Sequence, residues 1–205
     1  MKKITLGLKT LYRVVANAFF LRFKENTRLN FGAGGSRIGN YINVDSLFMR
    51  ETDLLCKLKH VHYFVKENSV THIYASHIME HFSLGEVRHI LKMSYKILKK
   101  NGEIRISVPD LDKIISIYIS HKEEFYKKNP ISWLGVIYGG QSSKYDFHKV
   151  GFNDHLLKQL LVEAGFSDVQ KYDADKFLNQ YSAKDTSLYK KDFGEYISLN
   201  MVAYK

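Results

Sequence analysis

The sequence predicts an α/β sandwich: a mostly parallel, seven-stranded sheet covered by helices, with a shortened first crossover and an extra N-terminal helix. Three observations predict it. Short β-branched and apolar runs alternate with stretches of helical apolar spacing, the order that builds parallel crossovers. A glycine-rich turn, Gly32-Ala33-Gly34-Gly35, follows the first such run directly, and an acidic residue, Asp45, ends the second. The chain has 205 residues, 45% apolar and 25% charged, which suits one domain with a sizeable core.

The elements follow in order. Residues 1–25 form an amphipathic helix in which Lys2, Thr5, Lys9, Arg13 and Asn17 share one face and Ile4, Leu8, Leu11, Val15, Ala18 and Phe19 the other. Residues 26–205 form the core. Arg28–Phe31, Tyr41–Asp45, Thr52–Cys56 and Val70–Ser76 read as the first four strands. Ser83 with Glu86 spells a capping box, and apolar residues from Val87 to Leu98 continue the helix until Asn101-Gly102 stops it. Glu103–Val108 is the fifth strand, and Pro109-Asp110 opens a helix carrying Ile114, Ile115 and Tyr118. Ile131–Tyr138 is apolar and helical, and Gly139–Asp146 is a loop. Asn153 caps a helix of Leu156, Leu157, Leu160 and Leu161 that ends at Gly165, and Phe166–Tyr172 and Tyr196–Tyr204 are the last strands. Only Gly32–Asn40 separate the first two strands, fewer residues than a parallel crossover normally needs. The usual first helix is therefore reduced to a turn, and the N-terminal helix is the candidate cover for that part of the sheet.

Composition narrows the setting. Cys56 is the only cysteine, so no internal disulfide or cysteine zinc cage can form, which fits a reducing cytoplasm. The net charge is +10, with basic residues scattered and no dedicated nucleic-acid motif. Lys9 and Arg13 interrupt the apolar N-terminal run, which argues against a signal peptide, and no stretch has the length of a membrane span. The N-terminal helix is expected to dock on the domain, with peripheral membrane contact through this basic helix as the alternative.

The chemistry begins at the glycine turn. Gly32 and Gly34 allow a sharp turn and close approach of a ligand, and Asp45 can accept the ribose hydroxyls of an adenosine. A dinucleotide fingerprint would place glycine where this chain has Arg37, which argues against a nicotinamide enzyme. The order of glycine turn, Asn43-Val44-Asp45, Ala75-Ser76-His77-Ile78-Met79-Glu80-His81 and Ile97-Leu98-Lys99-Lys100-Asn101-Gly102 resembles the class I S-adenosylmethionine-dependent methyltransferases, which are Rossmann-like. With the segment Gly139–Phe152, it looks closest to a small bacterial family of predicted methyltransferases often seen with surface-polysaccharide genes. The resemblance spans about residues 28 to 204. It implies S-adenosylmethionine as cofactor, with Asn30, Gly32, Ala33, Gly34, Asp45, Ser76 and His77 lining its site. It implies a small-molecule or glycan substrate whose oxygen or nitrogen is methylated. In many relatives position 30 is acidic and so is the position of Lys57; here the first is Asn30.

A hydroxyl acceptor benefits from a base, and His77, His81 and His148 are the candidates. His77 and His81 share a face if their segment is helical, and His148 joins them only if its loop folds over the site. Glu80 is a candidate to orient a histidine. Asp110 is expected to cap its helix. Trp133 and Tyr138 either wall a substrate pocket or fill core. The sequence demands no metal. His77-Ile78-Met79-Glu80-His81 also spells the inverted zinc-peptidase motif, which needs a mid-helix setting. A non-catalytic relative, an RNA methyltransferase and a zinc hydrolase stay open as alternatives, as does the oligomeric state.

Overall fold

The computed structural model describes residues 2–128, 135–181, 183 and 196–205. Seven strands make one sheet: β1 (Thr27–Phe31), β2 (Ile42–Asp45), β3 (Leu54–Leu55), β4 (Val70–Ser76), β5 (Leu98–Pro109), β6 (Ser167–Lys171) and β7 (Ser198–Tyr204). Their order is β3-β2-β1-β4-β5-β7-β6. The first five run parallel, and β7 is antiparallel to both β5 and β6. The predicted sheet is therefore present, with β3 cut to two residues.

Alternation along the strands separates the two faces. Leu29, Phe31, Ile73, Ala75, Ile104 and Ile106 join one core with Val87, Ile90 and Leu91 of α2 (Leu84–Ile97) and with Leu157, Leu160 and Leu161 of a later helix, Asp154–Ala164. The capping box at Ser83 and Glu86 is formed. α2 ends earlier than expected, because β5 already begins at Leu98. Asn101 takes a left-handed φ of 62°, and the register shifts at this end of the β4–β5 pair. Asn101-Gly102 therefore marks a bulge in the strand rather than the end of the helix.

The opposite face is more polar and lacks the usual first crossover helix. Gly32 to Tyr41 link β1 and β2 by turns alone. The N-terminal helix does not cover the gap. Tyr74 instead packs with Ile38, Tyr41, Phe177 and Leu178, the last two from a helix at Ala174–Asn179 that Asp173 caps. Arg105 lies over the Tyr172 and Phe177 rings at 4.9 and 4.7 Å. Chain arriving after β6 thus replaces a helix expected after β1. In chain order the helices named so far follow α1 (Lys2–Phe20), with α3 (Leu111–Lys128) between α2 and Asp154–Ala164, which is α4; Ala174–Asn179 is α5. Residues 135–138 are helical, and the rest of the predicted Ile131–Tyr138 helix, with Trp133, lies outside the described residues.

α1 docks at the β3 edge with its polar side inward. Arg13 donates to the carbonyls of Arg50 and Thr52 at 2.6 and 3.0 Å and pairs with Asp53 at 2.6 Å. Asn17 donates to the Asp53 carbonyl at 3.1 Å, and Val14 and Leu21 are buried beside them. The apolar side faces outward: Leu8, Leu11, Tyr12, Val15 and Phe19 are exposed, Tyr12 by 77% and Phe19 by 70%.

Asp53 joins these pieces. Its carboxylate accepts from Arg37 at 2.8 and 3.1 Å, from the Asn43 backbone N–H at 2.9 Å, and pairs with Arg13. Asp53→Ala strips two guanidiniums and a buried N–H of their acceptor. The expected loss is about 3 kcal/mol, at the low end for broken buried pairs because both arginines keep some water. Thermal unfolding should shift down by about 6–12 °C for a chain of this size.

Candidate active site

The site is built at the carboxyl ends of β1, β2 and β4, where strand order reverses, the place where open α/β sheets take ligands. β1 runs into Gly32 and Gly34, with left-handed φ of 63° and 60°. The Gly32 N–H donates to the Val44 carbonyl at 2.9 Å, tying the turn to β2. A Cβ on Gly32 would stand 2.6 Å from Ile78 Cγ1, so only glycine lets Ile78 lie against the turn. A Cβ on Gly34 or Gly35 would meet nothing closer than 4.0 Å, which leaves this backbone open to a ligand.

Asp45 closes the turn. Its Oδ2 accepts the Gly34 N–H at 3.1 Å, and its Oδ1 accepts the Leu47 N–H at 2.9 Å. The carboxylate is nearly buried, yet a carboxylate has about four acceptor positions, so it retains capacity for hydroxyls. Asn30 is placed differently from the other predicted residues. Its amide donates to Asn43 Oδ1 at 3.1 Å across the β1–β2 pair. Asn43 in turn donates to the carbonyls of Ser36 and Glu51, both at 2.9 Å. This asparagine ladder, with Asp53 and Arg37, holds the helix-free crossover. Lys57 is exposed ahead of a 3₁₀ turn at Leu58–Tyr63.

β4 delivers Ser76 opposite Ser107, and His77 then turns sharply with a left-handed φ of 46°. Residues 79–81 make a 3₁₀ turn, not the α-helix that would set His77 and His81 on one face. His77 is held in place. Its Nε2 lies 2.8 Å from Ser198 Oγ, and its Nδ1 lies 3.3 Å from Glu80 Oε1. Nothing local in the sequence connects Ser198 with this histidine.

His81 and His148 do meet, with ring centroids 4.9 Å apart at 76°. The loop that brings His148 is a closed structure. His148 N donates to the Tyr138 carbonyl at 3.0 Å, and Gln141 N to the Asp146 carbonyl at 3.1 Å. Ser142 donates to the Asp146 carboxylate through its hydroxyl at 2.7 Å and its N–H at 3.2 Å, which holds that carboxyl below the ordinary range. Lys149 N donates to the Glu80 carbonyl at 2.7 Å and straps the loop to the 3₁₀ turn. Burial holds His148 below the ordinary histidine value against the opposing pull of Glu80, so its ring is neutral at pH 7. Gly139 is essential here: its φ is 82°, and a Cβ would run into the Asp146 carbonyl. Gly139→Ala is expected to cost about 3 kcal/mol from strain and overpacking together, read by urea unfolding.

Beside the histidines lies a cavity of about 220 Å³, lined by Pro109, Leu111, Ile114, Val136, Tyr138 and His148 among others. Asp110 caps α3, its Oδ1 accepting the Lys113 N–H at 3.3 Å, and does not reach into the cluster. Burial pushes the Cys56 thiol up to about 12, so it is not a nucleophile at neutral pH.

Comparison with known proteins places the fold. By sequence, the chain matches no protein-family model and no curated protein. By structure, it superposes on an S-adenosylmethionine-dependent methyltransferase from Archaeoglobus fulgidus with a TM-score of 0.53 at 16% identity, covering 95% of this chain and 93% of that one. It matches a 1,6-didemethyltoxoflavin N1-methyltransferase from Burkholderia thailandensis, a structure with S-adenosylhomocysteine bound, at 0.53 and 14% identity over 94% and 78% of the two chains. A possible histamine N-methyltransferase from Thermotoga maritima matches at 0.50 and 18% identity over 96% and 89%. The chain therefore has the Rossmann-like fold of the class I methyltransferases. At these identities the likeness is one of fold.

Proposed function

We propose that residues 1–205 are a single cytoplasmic methyltransferase domain that transfers a methyl group from S-adenosylmethionine to oxygen or nitrogen of a small molecule or glycan precursor. The carrying observation is Asp45, a carboxylate fixed by the Gly34 and Leu47 N–H groups at the edge where strand order reverses. The residues present fit the cofactor's adenosine side: an oriented acceptor for ribose hydroxyls, and a Gly34-Gly35 backbone with open space above it. When bound, the cofactor supplies an electrophilic methyl group on a sulfonium. The protein's part is to hold the acceptor at attack distance and keep water out. Ile78 links the glycine turn to residues 77–81, so the cofactor edge and the histidine cluster abut. His81 Nδ1 lies 3.2 Å from the Phe147 carbonyl, which can only accept, so Nδ1 carries the proton and Nε2 keeps its lone pair. His81 and His148 are thus equipped to take a proton or hydrogen bond from an acceptor, whereas both nitrogens of His77 are already engaged. The glycan preference is supported by the likeness of Gly139–Phe152 to the polysaccharide-linked family.

The outward apolar face of α1 supports a further partner, an anionic membrane surface. Phe20 and Phe23 are also exposed at this end of the chain, as are Lys9, Arg22 and Lys24, the last donating to Asn17 at 3.3 Å. Among the described residues no helix is long and apolar enough to cross a membrane, so contact would be peripheral.

A second reading, cofactor binding without turnover, is favoured by Asn30, whose amide is committed to Asn43 and which brings no charge to a methionine amine. Incubation with radiolabelled S-adenosylmethionine and a panel of sugar nucleotides and small amines separates the two. Transfer of label to an acceptor supports catalysis, whereas binding with no transfer to any acceptor supports the second reading.

A further inference from the structure

We propose that Glu80, His81 and His148 form a binding site for one divalent transition-metal ion of the zinc or iron(II) type, a group the sequence alone does not demand. One ligand atom from each of the three side chains lies within 4.8 Å of those of the other two. Two imidazoles and one carboxylate are the donor set that suits such ions rather than magnesium or calcium.

The second observation is Glu80 itself. It is 1% exposed, and neither carboxylate oxygen receives a hydrogen bond. His77 Nδ1 faces Oε1 at 3.3 Å, within ion-pair distance but without a hydrogen bond to it. A buried carboxylate left this way is costly unless a cation completes it. The third observation is the backing of the histidines. His81 Nδ1 donates to the Phe147 carbonyl at 3.2 Å, and His148 bonds the Val136 carbonyl. Each ring thereby spends one nitrogen on a backbone carbonyl and keeps a lone pair on the other, the arrangement in which metal-ligating histidines are held.

His77 is not a ligand in this arrangement: Ser198 bonds its Nε2, and its ring stands outside the three-residue cluster. The spacing that suggested a zinc peptidase thus contributes only its Glu80-His81 half, and the third donor comes from the loop 67 residues on. Three protein ligands leave coordination positions open, and these suit an oxygen of an acceptor; one of the three ligands, His148, also lines the neighbouring cavity. With the metal bound, the His81 and His148 lone pairs would be spent as ligands, and the ion would supply Lewis acidity to an acceptor hydroxyl in place of a histidine base. The site stands on the three side chains alone and does not depend on what binds at Asp45.

The test uses the full chain stripped with chelator and dialysed. Zinc is titrated by calorimetry, and cobalt(II) is followed by its visible absorption bands. One saturable equivalent is expected, with affinity lowered at least about 10-fold in both Glu80→Gln and His148→Ala. A separate pair of neighbouring histidines, His62 and His89, serves as control, and His62→Ala should leave the titration unchanged. His81→Gln substitutes should either variant fail to fold by circular dichroism. Absence of a saturable equivalent in the unmodified protein overturns the site, as does an equivalent that survives Glu80→Gln and His148→Ala or disappears in His62→Ala. Titration with S-adenosylmethionine in the same preparation is a separate reading, so failure of the metal site and failure of the cofactor site are told apart.

Discussion

Asp45→Ala is expected to weaken S-adenosylmethionine binding about 10- to 150-fold, the equivalent of about 1.5–3 kcal/mol for hydrogen bonds to a charged group. Two effects combine. The ribose hydroxyls lose an anionic acceptor, and the Gly34 and Leu47 N–H groups lose the carboxylate that fixes the turn. Asp45→Asn keeps the shape and one acceptor oxygen, but it removes the charge and sets an NH2 against either the Gly34 or the Leu47 N–H. It should therefore recover only part of the affinity that Asp45→Ala loses. Calorimetric titration with S-adenosylmethionine and S-adenosylhomocysteine reads both, with NAD as a control that should not bind. Unchanged affinity in a folded Asp45→Ala protein would remove the cofactor from this edge of the sheet.

The strands were legible because their signals are local. Val70–Ser76 is a continuous β-prone run, and β4 has those bounds. Ser83 and Glu86 satisfy each other within one helical turn, so the start of α2 is written in four residues. The limits appear where local preference was decided by a distant partner. Asn101-Gly102 has the composition of a helix stop, yet it sits in a strand because Val70 and Thr71 offer β5 a neighbour from Leu98 onward. Asp173–Asn179 carries a capping signal, but its role is set by the gap that the missing first crossover helix leaves above Tyr74. The shortened crossover was visible as a residue count; what would fill it was not.

The candidate site divides in the same way. Gly32, Gly34 and Asp45 follow one another along a single β-turn-β unit, and their spacing announced them. His81 and His148 were recognisable as residue types, but their meeting depends on a loop closed by Gly139, Ser142 and Asp146. Glu80 looked like an orienting residue. Its burial without a hydrogen bond is a property of the folded packing and has no sequence signature. Ser198, which holds His77, lies 121 residues away.

The orientation of α1 was the largest departure, and it carries the second prediction. Helical spacing identifies two faces but not which one the domain takes. Here the receiving edge offers carbonyls at Arg50, Thr52 and Asp53 and a buried carboxylate, so Arg13 and Asn17 bind it and the apolar face is left outside. A row of exposed large apolar side chains on a helix that also exposes Lys9, with Arg22 and Lys24 exposed just after it, is a surface suited to anionic lipid. The protein should co-sediment with vesicles containing phosphatidylglycerol, less with pure phosphatidylcholine, and less in high salt. Leu11→Glu with Phe19→Glu should reduce binding by about 100-fold, since two large side chains leave the membrane interface and two negative charges meet a negative surface. Because both positions are exposed in the fold, the double variant should lose no more than about 0.5 kcal/mol per site. The competing occupant of the face is a second copy of the chain. A micromolar dimer in sedimentation, dissociated by the same two substitutions and indifferent to vesicles, would assign the face to self-association and overturn the lipid reading.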